Sequence, residues 1–288
     1  MNKYDSRFDR RASDSAESRG LFRPSDTTAV KNVLVNGLRA AYDVGGKGPD
    51  VVLIHGWMAS KRYWHEAVDR LPGFRVWALD LFGYGDSEKP DRGYTLENYA
   101  AFVLGFLEET GIKKCAIVGH SMGGSIVAWT VLTRPQTFKA MCLVDPGLAG
   151  IATAPSRWAS EPMIGFMLQL AGASTGLGQM AIKRMFGVKS PGSKIILEEA
   201  RKADVRGAAS CGDMMSRQTD WRSLSKLKLP AMVVFGEDDF LTNRGMDKDV
   251  KSLIPEAEMR YIEDCGHIPM LERPDEFYGI LRTFLERR

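Results

Sequence analysis

The stretch Ala116 to Gly124, AIVGHSMGG, is an apolar run that ends abruptly in small residues around one serine. It reads as strand, sharp turn and helix. In a Gly-x-Ser-x-Gly turn the serine takes strained backbone geometry, Gly119 and Gly123 prevent clashes, and Ser121 Oγ projects above the end of the strand. The next amide, that of Met122, falls at the N-terminus of the following helix, where unpaired N–H groups favour negative charge. A hydroxyl placed to attack and an amide placed to receive the resulting oxyanion thus share one turn. A serine hydroxyl is a weak nucleophile until a base accepts its proton. That base in turn needs a third group to fix its tautomer and stabilise the imidazolium. The chain offers four histidines, His55, His65, His120 and His267, and carboxylates at the ends of apolar runs, Asp145, Asp238 and Asp239 among them.

The elements that must position these residues are legible as a βα alternation. Val30, Val33 and Val35 lead into Asn36-Gly37, and Leu38, Ala40, Tyr42 and Val44 follow, which predicts a hairpin with a primed turn. Val51 to Ile54 is a continuous apolar run of the kind expected for a strand buried on both faces, and it ends at His55-Gly56-Trp57-Met58. Tyr63, Ala67 and Leu71 then have helical spacing up to Pro72-Gly73. A strand over 75–79 and the glycine-punctuated loop Asp80 to Ser87 come next, and a helix over 95–110 precedes the serine-bearing strand. After the helix over 122–133, a strand over 139–144 ends at Asp145-Pro146-Gly147. The last strands fall at 230–235, before Gly236-Glu237-Asp238-Asp239, and at 258–262, before Asp264-Cys265-Gly266-His267. A helix over 275–286 closes the chain. The expected fold class is α/β: a mostly parallel central sheet of about eight strands with helices on both faces. Ligands of such sheets bind at the C-terminal strand ends, where His55-Gly56-Trp57 and Ser121 both fall.

The alternation stops between 148 and 226. Here helix-like stretches are broken by Pro155, Pro162, Gly172, Gly176, Gly187 and Pro191. This segment is read as a helical cap inserted into a core made of 29–147 and 227–288. Its Met163, Met167, Met180, Met185, Met214 and Met215, with Phe166, Leu170 and Phe186, either fill a core or form an adaptable pocket wall. Residues 1–28 mix Arg, Asp and Ser with few apolar side chains, a composition that predicts a flexible tail. That tail has no apolar core of a secretory signal, and its acidic residues argue against an organellar transit peptide.

Of 288 residues, 44% are hydrophobic and 26% charged, as in an ordinary globular protein, and a net charge of +3 without any Lys/Arg block argues against nucleic acid as a partner. Four cysteines, Cys115, Cys142, Cys211 and Cys265, have neither CxxC spacing nor the density of a disulfide scaffold, which points to reduced thiols and a cytoplasmic location. No apolar segment approaches the length of a membrane span.

By these residues the chain resembles the α/β-hydrolase family from about residue 30 to its end, with four signatures in family order: His55-Gly56-Trp57, Gly119-His120-Ser121-Met122-Gly123, Gly236-Glu237-Asp238-Asp239 and Gly266-His267. The Gly83-Tyr84-Gly85-Asp86-Ser87 loop is similar as well. The resemblance implies a Ser-His-Asp triad with Ser121 as nucleophile and His267 as base. It also implies an oxyanion hole built from the backbone N–H groups of Trp57 and Met122. Asp239 is the expected third member, because Gly236-x-x-Asp239 matches the commoner motif and falls between the cap and His267. Asp145 and Asp238 are its rivals. Family members that open epoxides or displace halide use an aspartate where this chain has Ser121. Those that cleave carbon-carbon bonds often carry Gly-Pro-Gly after the His-Gly pair, where this chain has Met58-Ala59-Ser60 after Trp57. An apolar small-molecule ester, thioester or lactone is therefore the expected substrate, hydrolysed through an acyl-enzyme. Carbon-carbon hydrolysis, acyl transfer or cyclisation, and ligand reception without turnover are the alternatives. No His/Cys/Asp cluster has the spacing of a metal site, and the triad suffices chemically, so no metal or organic cofactor is expected.

Overall fold

In the computed structural model the described residues are 29–148, 192–204, 206–208, 214, 219–239 and 243–288. Eight strands form one sheet: β1 (Ala29–Val35), β2 (Leu38–Gly46), β3 (Asp50–Ile54), β4 (Arg75–Leu79), β5 (Cys115–His120), β6 (Phe138–Val144), β7 (Ala231–Gly236) and β8 (Glu258–Ile262), in the order β1-β2-β4-β3-β5-β6-β7-β8. β1 and β2 pair antiparallel across Asn36 and Gly37, whose φ values of 51° and 81° are those of the primed turn that Asn-Gly predicts. β2 is also antiparallel to β4, and every later pairing is parallel.

Period-two alternation divides the core between the two faces of the sheet. Val52, Ile54, Ile117, Leu143, Val233 and Phe235 pack on one side with α2 (Leu96–Glu109), α3 (Met122–Thr133) and α5 (Asn243–Leu253). Val51, Leu53, Val118, Cys142, Val144 and Val234 pack on the other with α1 (Ala67–Arg70), α6 (Pro269–Glu272) and α7 (Pro274–Leu285). This is why the central strands read as unbroken apolar runs: both of their faces are covered. Cys115 and Cys142 lie in β5 and β6. Burial pushes the Cys115 thiol up to about 12 and raises Cys142 as well, so both are inert fillers.

Two helical segments differ from expectation. Where Tyr63, Ala67 and Leu71 predict one helix, the chain forms a 3₁₀ turn over Lys61–Trp64 and then the four-residue α1. The Lys61 N–H is drawn to Asp80 Oδ1 at 2.6 Å, and the Ser60 side chain accepts from Arg62 N–H, which tightens the first turn. All three apolar side chains are buried nonetheless. α5, between β7 and β8, is not anticipated. Its apolar signal is a narrow stripe of Met246 and Val250, continued just past its end by Ile254, set in a polar sequence.

Within 148–226 the described parts include α4 (Gly192–Lys202), residues 203, 204 and 206–208, the buried Met214 and a 3₁₀ turn over Trp221–Lys226. Met163, Met167, Met180, Met185, Met215, Phe166, Leu170 and Phe186 lie outside the described residues, as does the segment 1–28. Among the described residues, no helix is long and apolar enough to cross a membrane.

Candidate active site

Ser121 sits between β5 and α3 at φ 53°, ψ −120°, a conformation that costs a non-glycine residue about 1–3 kcal/mol and persists only where the surroundings enforce it. Here β6 and α3 do so. Ser121 N–H donates to Val144 O at 2.9 Å, while Ser121 O accepts from Gly124 N–H at 2.8 Å and from Gly147 N–H at 3.1 Å. Both flanking glycines are sterically required. A Cβ on Gly119 would lie 2.3 Å from Gly123 O, and one on Gly123 would lie 2.4 Å from His55 O. The elbow is thus pressed backbone to backbone against the end of β3.

Ser121 Oγ lies 2.9 Å from His267 Nε2, and His267 Nδ1 lies 2.8 Å from Asp239 Oδ2. A carboxylate only accepts, so Nδ1 carries the ring proton and Nε2 presents a lone pair to the serine hydroxyl. His267 and Asp239 are buried and Ser121 is half-buried, so the line runs from the interior to an opening at the serine. Asp238, next to Asp239, is exposed, and its N–H donates to Cys265 O at 2.8 Å. Of these neighbours, only Asp239 faces His267.

Asp145 follows β6 and is fully buried; its Oδ1 accepts Gly236 N–H at 3.0 Å, and its own N–H donates to Val234 O at 2.8 Å. Trp57 follows β3. A Cβ on Gly56 would lie 3.0 Å from Ser121 Cβ, so the Gly56-Trp57 link passes directly beside the serine. Met122 is the first residue of α3. The indole N–H of Trp57 donates to Ala208 O at 3.0 Å, Tyr84 O–H donates to Gly207 O at 3.3 Å, and Asp204 N–H donates to Gly83 O at 2.8 Å. Asp204, Gly207 and Ala208 are therefore tied to two loops at the C-terminal edge of the sheet.

The other histidines hold the frame. His55 Nδ1–H donates to Gly56 O at 2.8 Å while its Nε2 accepts Leu81 N–H at 3.0 Å, and burial lowers its pKa, so the ring is neutral. His120 Nε2–H donates to the carbonyl of His267 at 2.7 Å. Burial, reinforced by the neighbouring His267, pushes its pKa down to about 3. His65 caps the 3₁₀ turn after Trp64.

Two supports escape sequence reasoning. Glu272 grips both sides of His267: Oε2 accepts Gly266 N–H at 3.0 Å and Oε1 accepts Ile268 N–H at 2.9 Å. The available signal is a carboxylate five residues after the histidine, on the first turn of a helix. Beneath the 80–87 loop, the buried Lys61 Nζ donates to Asp80 at 2.8 Å and to Asp86 at 2.6 Å. Burial alone would lower the Lys61 pKa, but the two carboxylates raise it.

Among the described residues, the one cluster of potential metal ligands is Asp145, Asp239 and His267, and two of these already share the 2.8 Å hydrogen bond of the line. The arrangement is suited to proton transfer: Oγ can lose its proton to Nε2 while Asp239 holds Nδ1–H.

The fold and this edge define a hydrolase class. The model of the alpha/beta hydrolase family matches residues 51–280, and the chain belongs to that family. It is 30% identical over 87% of its length to the dihydrolipoyllysine-residue acetyltransferase component of an acetoin cleaving system from Cupriavidus necator, covering 67% of that protein. It is 27% identical over 83% of its length to a pimeloyl-[acyl-carrier protein] methyl ester esterase of Aeromonas hydrophila, covering 96% of that protein. Among solved structures, a membrane phospholipase A described as a bacterial virulence factor superposes with a TM-score of 0.77 at 25% identity, over 90% of this chain and 86% of that one.

Proposed function

We propose that the protein is a serine hydrolase that cleaves an ester, thioester or lactone of a small to medium apolar acyl group through an acyl-enzyme. The observation that carries this reading is the line from buried Asp239 through His267 to Ser121 on its positive-φ turn. In this reading Ser121 Oγ attacks the acyl carbon as His267 Nε2 takes its proton. His267 then returns the proton to the leaving alkoxide or thiolate, and the acyl group stays on Ser121. A water molecule, deprotonated by the same Nε2, releases the acid. The backbone N–H groups of Trp57 and Met122 are assigned to the oxyanion. The close approach of Gly56 to Ser121, and the place of Met122 at the start of α3, support this. Each such donor is worth about 2.7–4 kcal/mol of transition-state stabilisation.

The segment 148–226 is assigned as a lid that sets acyl preference. Its described parts touch the site's own loops, at Ala208 on Trp57 and at Glu198 and Glu199 on Arg62. A serine in place of aspartate at the nucleophile position speaks against epoxide opening. The acetyltransferase named among the relatives favours a second reading, in which an alcohol or amine replaces water; competition between nucleophiles in product analysis decides between the two. Cysteine spacing unlike that of a disulfide scaffold supports a cytoplasmic location in this reading. The central test is mass spectrometry after treatment with an organophosphonate, together with a panel of p-nitrophenyl esters of graded chain length. The adduct is expected on Ser121, with activity lost in Ser121→Ala. An adduct elsewhere, or full activity in that variant, refutes the assignment.

A further inference from the structure

Asp145 has no part in the line of groups from Asp239 to Ser121, yet it is the most deeply buried acid beside it. It leaves β6 at φ 41°, and its side chain turns toward the end of β7. Oδ1 is satisfied by Gly236 N–H, three residues before Asp239. Oδ2 is also buried, and among the described residues no donor reaches it. What lies beside Asp145 is the Asp239 carboxylate. One oxygen of each aspartate and one ring nitrogen of His267 fall within 4.8 Å of one another. Two carboxylates are both acceptors, so they make no hydrogen bond until one of them holds a proton, and two bare negative charges at such a distance in a dry site repel strongly.

Two acids add to this pressure, Asp239 from the loop after β7 and Glu272 from α6. The Cys265 thiol, from the segment before His267, also faces Asp145, but burial pushes its pKa up, so it is neutral. His267 is the one group of the cluster able to carry positive charge, and its Nδ1–H is committed to Asp239. Burial, and then the Asp239 charge, hold Asp145 well above the ordinary carboxylate range; the Gly236 bond offsets this only in part. The pattern is that of two carboxyl groups sharing one site, in which one of them stays protonated.

We propose that Asp145 is a positioning residue of the triad: it keeps a proton on Oδ2 and donates it to the Asp239 carboxylate, so that the two aspartates carry one proton and one negative charge beneath His267. This rests on the triad reading above. The shared proton fixes the plane of the Asp239 carboxylate, so that Oδ2 of Asp239 points at His267 Nδ1. It also limits the charge beneath the imidazole to one.

The test uses the full chain and reads the proton directly. At neutral pH, infrared difference spectra of wild type against Asp145→Asn should show the C=O stretch of a protonated carboxylic acid in the wild type alone. Asp145→Ala should lower kcat about tenfold to hundredfold, the scale of one lost hydrogen bond to a charged group. Asp145→Asn should recover most of that loss, because its carboxamide can accept from Gly236 N–H and donate to Asp239. In wild type, kcat/KM should bend at alkaline pH as Asp145 ionises, and the bend should disappear in Asp145→Asn. Absence of the infrared band, or an asparagine variant as impaired as the alanine one, overturns the proposal. Should Asp145→Ala fail to fold, the band and the asparagine pH profile still decide it. The infrared band needs no turnover, so it stands or falls separately from the hydrolase assignment, which Ser121→Ala tests.

Discussion

Replacing Glu272 should damage catalysis without touching any group in the line from Ser121 to Asp239. Its carboxylate accepts the peptide N–H on each side of His267, at 3.0 and 2.9 Å. A hydrogen bond to a charged group contributes roughly 1.5–3 kcal/mol, and Glu272 is half-buried, so water partly replaces what Glu272→Ala removes. A stability loss of about 2–3 kcal/mol follows, a large part of the 5–15 kcal/mol typical of a domain. The catalytic cost arises separately. With both flanking amides released, the His267 backbone loses two of its anchors and keeps the His120 contact to its carbonyl, and a misplacement of about 1 Å at a reacting group can cost a hundredfold in rate. Glu272→Gln keeps one acceptor but turns an NH₂ toward the other amide, so it should retain about half of the stability and fall between wild type and alanine in kcat. Guanidinium unfolding, with kcat on a short p-nitrophenyl ester, separates the two effects. A folded Glu272→Ala with kcat within about threefold of wild type refutes the reasoning, since the clamp would then serve the fold and not His267.

Three further outcomes can be checked. Asp239→Asn should cut kcat by roughly 10⁴, the scale of a misoriented triad histidine, while the exposed neighbour changed in Asp238→Asn should leave it near wild type; the opposite ranking would transfer the role. His120 has its folded pKa depressed from 6.5 to about 3. It therefore contributes stability that is fully present above pH 6.5 and lost as pH falls toward 3, at up to about 1.4 kcal/mol per unit. Denaturant unfolding of His120→Gln should lack that slope, and an unchanged slope would contradict the neutral assignment. Activity should survive EDTA, because the triad needs no Lewis acid, and loss on chelation with recovery on adding metal would contradict this.

What could be read from the sequence is what depends on neighbours along the chain. Asn36-Gly37 dictates its own turn, the run Val51 to Ile54 declares a strand covered on both faces, and the need for glycine at 119 is set by a clash with Gly123 O inside one turn. Contacts that join distant segments left little trace. His120 meets the His267 carbonyl across 147 residues, and Lys61 meets Asp80 across 19, so neither side chain announces its partner. α5 leaves little trace for a different reason: three apolar residues four apart suffice once a sheet waits beneath them, but they barely rise above a polar background.

The choice among the aspartates shows how register settles what composition leaves open. Val144 pairs with Val234, and Gly236 pairs with Ile262. Asp145 therefore leaves β6 at the level of Phe235, while Asp239 lies three residues beyond the end of β7, beside a His267 that is five beyond the end of β8. A base that must reach Ser121 above the sheet needs its acid at the higher level, which Asp239 occupies. The turn over Glu237 and Asp238, closed by Asp239 N–H to Gly236 O at 3.1 Å, leaves Asp238 in solvent. Asp145, one layer lower, is kept from His267 by the same register that sets it against Asp239, with Gly236 N–H fixing one of its oxygens. Two acids at successive strand ends thus take unequal places because the strands end at unequal heights: the upper one meets the imidazole and the lower one meets the upper.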